Sequence, residues 1–144
     1  YTASEVAKNA IGQREDGQGF GRAIEGAMKI GQICPEQIKI VKTHGTGIRS
    51  NNEAEKAALE KCLSEFVATS YKQRIGHTMG ASGLLETLLL FKDLEKGTVP
   101  EILNRTEEDH VFLSEAVEAP EGIVMSLSAG MGNVFSAALF NMRI

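Results

Sequence analysis

From Gly80 to Lys96 the chain carries Ala81-Ser-Gly-Leu-Leu-Glu-Thr-Leu-Leu-Leu-Phe91, a run that is apolar around most of a helical circumference. A helix of that kind has little face to give to water, so it predicts a buried position in the middle of a layered fold. Gly97 and Pro100 close it. Around it the hydrophobic period alternates. Residues 18–31 place Phe20, Ala23, Ile24, Ala27, Met28 and Ile30 close to a helical repeat, with a break at Gly31 and a turn at Cys34-Pro35. Ile38 to Thr43 is short and β-branched, with Ile38 and Ile40 at alternate places, and predicts a strand. Asn51 or Asn52 is placed to cap a helix from Glu53 to about Ser64, with Ala54, Ala57, Ala58 and Leu59 facing inward. A second strand is expected near 66–70. Residues 107–120 are acidic and irregular, with one short extended piece at 111–113. Residues 122–128 and 134–142 read as a hairpin about the glycine turn Ala129-Gly-Met-Gly-Asn133. This order of elements predicts an α/β domain, a mixed sheet covered by helices.

With 144 residues, 42% of them hydrophobic and 24% charged, the chain is expected to form one globular unit with a real core. A formal charge of -4 and the lack of a basic run argue against nucleic acid or an anionic membrane as partner. No apolar stretch approaches the roughly 20 residues that span a bilayer, and the amino terminus carries no signal-peptide pattern, so a cytoplasmic location is expected. Cys34 and Cys62 have neither CxxC nor metal-ligand spacing and read as structural free thiols. His110, inside Glu-Glu-Asp-His, reads as a surface residue, and no metal site is expected because the spacings supply no third ligand. Gly17-Gln-Gly-Phe-Gly21 has the look of a dinucleotide loop, but no predicted strand precedes it and its third glycine is misplaced.

Two histidines stand in glycine-framed turns. His44, in Thr43-His-Gly-Thr-Gly47, lies just past the carboxyl end of a predicted strand, where ligands collect in open α/β sheets. Its glycines allow a ligand to approach the backbone closely. His77, in Lys72-Gln-Arg-Ile-Gly-His-Thr-Met-Gly-Ala-Ser-Gly83, introduces the apolar helix. Either one alone is as readily a hydrogen-bonded turn histidine. The conjunction with Lys72, five residues before His77, and Glu55, eleven after His44, points to a single site. A lysine entering a buried helix start needs a carboxylate, and Glu55 is the candidate partner.

These landmarks, followed by Ser126-Leu-Ser-Ala-Gly-Met-Gly132, resemble the carboxy-terminal half of the beta-ketoacyl synthases, condensing enzymes of the thiolase superfamily. The resemblance covers nearly the whole chain. It implies a thiolase-like layered fold with a mixed sheet and a buried central helix. It also implies decarboxylative Claisen condensation of an acyl thioester with a malonyl-carrier protein, in fatty acid or polyketide-type biosynthesis. His44 and His77 would then donate hydrogen bonds to the malonyl thioester carbonyl and stabilise the enolate left by decarboxylation. Lys72, held by Glu55, would maintain the electrostatics around His77. The Ala129 N–H would supply one oxyanion donor, with Gly130 and Met131 beside it at the substrate, and Thr46 would face the pantetheine arm. Acyl carrier protein is the implied partner, no cofactor is implied, and the intact enzyme would be a dimer.

In the family the acyl group rides on a cysteine of the amino-terminal half, and neither Cys34 nor Cys62 has the flanking residues to replace it. The first strand of the family's second half is also expected to be missing. The resemblance therefore implies an incomplete domain, inactive alone, whose partner is the amino-terminal half or another ketosynthase chain. Several positions depart from the family pattern. Ile48 replaces a second threonine, Asn52 replaces a common aspartate, Ala129 and Met131 stand at two phenylalanine positions, and Asn133-Val-Phe135 replaces glycine-threonine-asparagine. The smaller gate at Ala129 suggests a bulky acyl group and secondary metabolism. The altered terminal motif also fits a different reading, a chain-length partner subunit without chemistry of its own. A plain thiolase is disfavoured, because no cysteine-bearing glycine motif follows Cys62.

Overall fold

The computed structural model describes residues 2–6, 16–103, 111–132 and 134–142. In chain order its elements are β1 (Thr2–Val6), α1 (Gln18–Gly31), β2 (Ile38–Lys42), α2 (Arg49–Cys62), β3 (Val67–Thr69), α3 (Lys72–Ile75), α4 (Ser82–Leu94), β4 (Thr98–Val99), β5 (Val117–Glu118), β6 (Ile123–Gly130) and β7 (Val134–Asn141). Five strands form one mixed sheet in the order β1-β7-β6-β2-β3. The β6–β7 hairpin is antiparallel, whereas β2 runs parallel to both β6 and β3. Parallel neighbours need crossovers, and α2 supplies the one between β2 and β3.

Alternation along β6 shows how the layers are divided. Met125 and Leu127 join the core formed with Phe20, Ile24, Ala58 and Leu59 of α1 and α2, while Val124 joins Ile40, Leu90 and Leu94 on the α4 side. Both faces of the strand are covered, and its buried Ser126 meets Thr87 Oγ1 of α4 at 2.7 Å. On α1, Phe20, Ala23, Ile24 and Ala27 fall at helical spacing and are buried, and Phe20 meets Phe135 of β7 edge-on at 4.9 Å. Burying a side chain such as Phe20 or Ile24 contributes roughly 1.5–3 kcal/mol. Gly17, at φ 66, is where α1 comes closest to α2, since a Cβ there would lie 2.3 Å from the Ala54 carbonyl oxygen. The glycine-rich start of α1 thus serves helix packing.

Three expectations need correction. A strand leads the chain after all. β1 pairs antiparallel with β7, from Thr2 opposite Ala138 to Val6 opposite Val134. Helix α2 starts at Arg49 rather than Glu53, with extended Ile48 before it and no side-chain cap. The Ile48 carbonyl accepts the N–H groups of Asn51 and Asn52, so both asparagines lie within the first turn. Helix α4 buries only one face, through Ser82, Glu86, Thr87, Leu90 and Leu94. Leu84 and Leu88 are 69% and 50% exposed.

His110 and Asn133 lie outside the described residues. The short extended piece expected at 111–113 corresponds to Phe112, which bridges in parallel to Ala68. Among the described residues, no helix is long and apolar enough to cross a membrane.

Candidate active site

The site forms where β2 and β3 end side by side. Thr43 fastens this junction, its backbone N–H and its Oγ1 both donating to the Thr69 carbonyl at 2.9 and 3.0 Å. The chain then turns sharply through His44 and Gly45. Gly45 adopts φ 51, and a Cβ on it would come within 2.2 Å of Ser70 Oγ. Glu55 of α2 sits beneath this turn. Its carboxylate oxygens accept the N–H groups of His44 at 2.5 Å and Gly45 at 3.0 Å. Burial pushes the Glu55 carboxyl above its ordinary range, and the Gly45 and His44 N–H groups act against that push.

Lys72 is buried at the start of α3, and its ion pair is with Glu86 of α4, not with Glu55 as expected. Its Nζ lies 2.7 and 3.0 Å from the two Glu86 oxygens and donates to the His44 carbonyl at 2.5 Å. The physical reason is one of reach. Glu55 is already committed to two backbone N–H groups on the far side of His44, whereas Glu86 projects into the core from the helix that Lys72 precedes. Glu55 and Lys72 thus hold the two sides of one residue, gripping the His44 N–H and C=O respectively. A second lysine shares the same carboxylate. Lys42, the last residue of β2, is fully buried, with Nζ 3.2 Å from Glu86 Oε2 and 2.8 Å from the Leu127 carbonyl. Burial lowers the Lys42 pKa, Glu86 opposes this and Lys72 adds to it.

The His44 imidazole is only 6% exposed, as a residue, and packs near the Phe20 ring. Burial, then the positive charges of Lys72 and Lys42, then His77, lower its pKa from 6.5 to about 3. His44 is therefore neutral at physiological pH. His77 faces it edge-on, with ring centroids 6.0 Å apart and ring planes at 83°. His77 Nδ1 accepts the Met79 N–H at 3.0 Å and lies 3.2 Å from Ser82 Oγ. An accepting Nδ1 puts the ring proton on Nε2, which leaves that N–H free to donate. Met79 holds this geometry with φ 53, a left-handed backbone uncommon outside glycine.

A cavity of about 500 Å3 opens onto both rings, and its wall includes Ser128, Ala129, Gly130 and Met131 of the β6–β7 hairpin. Of the residues singled out from sequence, His44, His77, Ala129, Gly130 and Met131 line this cavity. Glu55 and Lys72 lie behind it as supports. Thr46 is turned elsewhere, accepting from the Asn51 side chain at 3.0 Å and tying the histidine loop to α2. Cys34 is exposed, Cys62 is half-buried, and neither lines the cavity. Burial pushes the Cys62 thiol up, which makes it a poor nucleophile. Two imidazoles converging from different loops, His44 buried and His77 exposed, can together hold an oxyanion or enolate by hydrogen bonds.

The family described as beta-ketoacyl synthase, C-terminal domain, matches residues 1–106. The chain belongs to the beta-ketoacyl synthases. This ketosynthase chain is 29% identical to the tetracenomycin polyketide synthase ketoacyl synthase alpha subunit of Streptomyces glaucescens, over 96% of the chain and 35% of that protein. It is 28% identical to the mitochondrial 3-oxoacyl-[acyl-carrier-protein] synthase of Arabidopsis thaliana, over 97% of the chain and 33% of that protein. The chain thus spans about a third of the length of these relatives. Among solved structures it is similar to a chain of the complex described as a type II PKS acyl-carrier protein with its ketosynthase bound to the hexaketide. The TM-score is 0.88 at 25% identity, covering 99% of this chain and 38% of that one. The thiolase-like layered fold expected from sequence is the fold of these ketosynthases.

Sequence reasoning missed Glu86 and Lys42. A signal for each was present. Glu86 is the lone charge within Leu84-Leu-Glu-Thr-Leu88, and Lys42 keeps the two-residue period of Ile38 and Ile40.

Proposed function

We propose that this chain supplies the decarboxylating side of a ketosynthase active site, acting in the cytoplasm on malonyl units carried by acyl carrier protein, in polyketide or fatty acid biosynthesis. In this reading the malonyl thioester enters the cavity with its carbonyl oxygen between the two imidazoles. As the bond to the carboxylate breaks, its electron pair becomes the enolate, CO2 leaves, and the N–H groups of His44 and His77 hold the enolate oxygen. The enolate carbon then attacks an acyl thioester and expels a cysteine thiolate. That cysteine comes from a cysteine-bearing ketosynthase half, whether in the same protein or in a partner chain, since neither Cys34 nor Cys62 reaches the cavity. The Ala129 N–H serves the oxyanion of the condensation step, and Thr46 keeps the carrier-facing loop in place. Dimerisation through that other half belongs to the same reading.

The observation that carries the proposal is the convergence of the two rings, 6.0 Å apart, with the His77 proton fixed on Nε2. Retention of His44, His77 and the Lys72–Glu86 support favours chemistry over a passive chain-length role. The test is release of labelled CO2 from malonyl-carrier protein by the chain assembled with a cysteine-bearing half. His77→Ala is expected to lower that release at least ~100-fold, the scale of losing one oxyanion donor, while acyl loading of the cysteine continues. Undiminished release would remove His77 from the mechanism, and no release even from the parent assembly would favour the chain-length partner.

A further inference from the structure

Lys42 stands at a position where the fold alone has no use for a cation. It follows Ile40 on the α4-facing side of a central strand and is fully buried. Glu86 is already met by both of its oxygens at Lys72. A second ammonium against one carboxylate is costly, because each cation opposes the other, and burial with Lys72 nearby indeed depresses Lys42. The charged groups that face it are Glu86 from α4, Lys72 from α3 and Glu55 from α2. An apolar side chain at this strand position would avoid the cost and would still leave Glu86 paired.

What Lys42 adds is a link. Its Nζ donates at 2.8 Å to the carbonyl of Leu127, two residues before Ala129 on the strand that leads into the cavity wall. The same Nζ meets Glu86 at 3.2 Å, Glu86 meets Lys72, and Lys72 donates to the His44 carbonyl. One continuous run of charged hydrogen bonds therefore joins the backbone of the glycine hairpin to the backbone of the first histidine loop. We propose that Lys42 is a positioning residue of the site, clamping the Leu127–Ala129 segment at a fixed distance from His44 through Glu86. This rests on the decarboxylating reading above. It deepens that reading by assigning to a strand lysine the alignment of two segments that lie just past the last β2–β6 pair, Lys42 opposite Ser126.

Lys42→Met, which removes the ammonium and keeps the volume, tests the clamp in the chain assembled with the cysteine-bearing half. Misplacement of a donor by about 1 Å costs on the order of 100-fold in rate, so kcat for CO2 release is expected to fall ~10- to 100-fold. KM for malonyl-carrier protein should stay within about twofold, and Tm should hold or rise, since a buried cation has been removed. The amide resonance of Ala129 should shift in the same variant. Parental kcat in a folded Lys42→Met protein overturns the proposal, as does a loss confined to KM. Should Lys42→Met fail to fold, Lys42→Gln decides, because its shorter neutral side chain reaches only one of the two partners. Reduced kcat at parental KM upholds the clamp, and parental kcat overturns it. A parent that releases no CO2 marks failure of the decarboxylating reading. In that event the clamp is judged on the Ala129 resonance, and an unmoved resonance overturns it.

Discussion

His44 is held neutral by burial first and by Lys72 and Lys42 next, which leaves one ring nitrogen as donor and the other as acceptor. The consequence for stability has a definite sign. Between pH 6.5 and about 3 the unfolded chain protonates this histidine and the folded chain does not, so stability is fully present above 6.5 and drains away as pH falls through that window. His44→Gln is expected to flatten this acid limb relative to the parent in urea titrations at stepped pH. Parallel curves for the two proteins would show that His44 protonates as freely in the fold as out of it. At this scale the sequence made both histidines and Lys72 legible, because glycine-framed histidines beside a lysine are difficult to explain by packing. The identity of the lysine's partner was not legible. Glu55 and Glu86 lie on different helices, and only the three-dimensional course of α2 and α4 determines that the first serves the backbone and the second serves both lysines.

Elements place these residues through a few tight crossings, of which the Gly45 turn is the most demanding. At φ 51, with a Cβ position 2.2 Å from Ser70 Oγ and 2.7 Å from Ser70 Cβ, two separate penalties apply to any other residue. Gly45→Ala is expected to lower stability by ~1–3 kcal/mol through strained backbone and contact together. Adding Ser70→Gly should relieve the Ser70 part of the contact, leaving Thr43 Oγ1 at 3.0 Å and the backbone part. Denaturant midpoints for the single and double variants check this, and an alanine variant as stable as the parent would mean that the turn can relax. Such crossings explain what pattern reading could and could not give. Periodicity located α1, β2, β3 and the β6–β7 hairpin, whose apolar repeats are strong. It missed β1, because Thr2-Ala-Ser-Glu-Val6 has no apolar alternation and is a strand only through its pairing with β7. It started α2 late, because two asparagines suggest a cap, whereas both lie inside the first turn and Ile48 stands at the cap position with no side-chain cap bond.

On the scale of the whole molecule, exposed apolar side chains border the active-site opening. Leu84 and Leu88 on α4 stand exposed on the helix whose first turn borders the histidine cavity, and Met131 on that cavity's rim is 93% exposed. Together with Met79 they offer apolar area beside the site, while the exposed Ile30, Ile48 and Leu103 do not line the cavity. Exposed leucines in one stripe are worth roughly 1.5–3 kcal/mol each when covered, so the stripe should drive association with whatever covers it. The occupant we infer is the cysteine-bearing ketosynthase half, because an acyl-cysteine brought in from that side would present its thioester carbonyl to the enolate held by His44 and His77, and the same contact would exclude water from the reaction. Leu88→Glu is then expected to leave the Tm of the chain alone unchanged or slightly raised, since the side chain it replaces is half exposed. It should also weaken assembly with the cysteine-bearing half, followed by sedimentation velocity, by at least tenfold in Kd. Weakened assembly with unaltered Tm separates an interface role from a folding role. If Leu88→Glu assembled as tightly as the parent, the stripe would not be the contact, and the cysteine would have to reach the two imidazoles by another route.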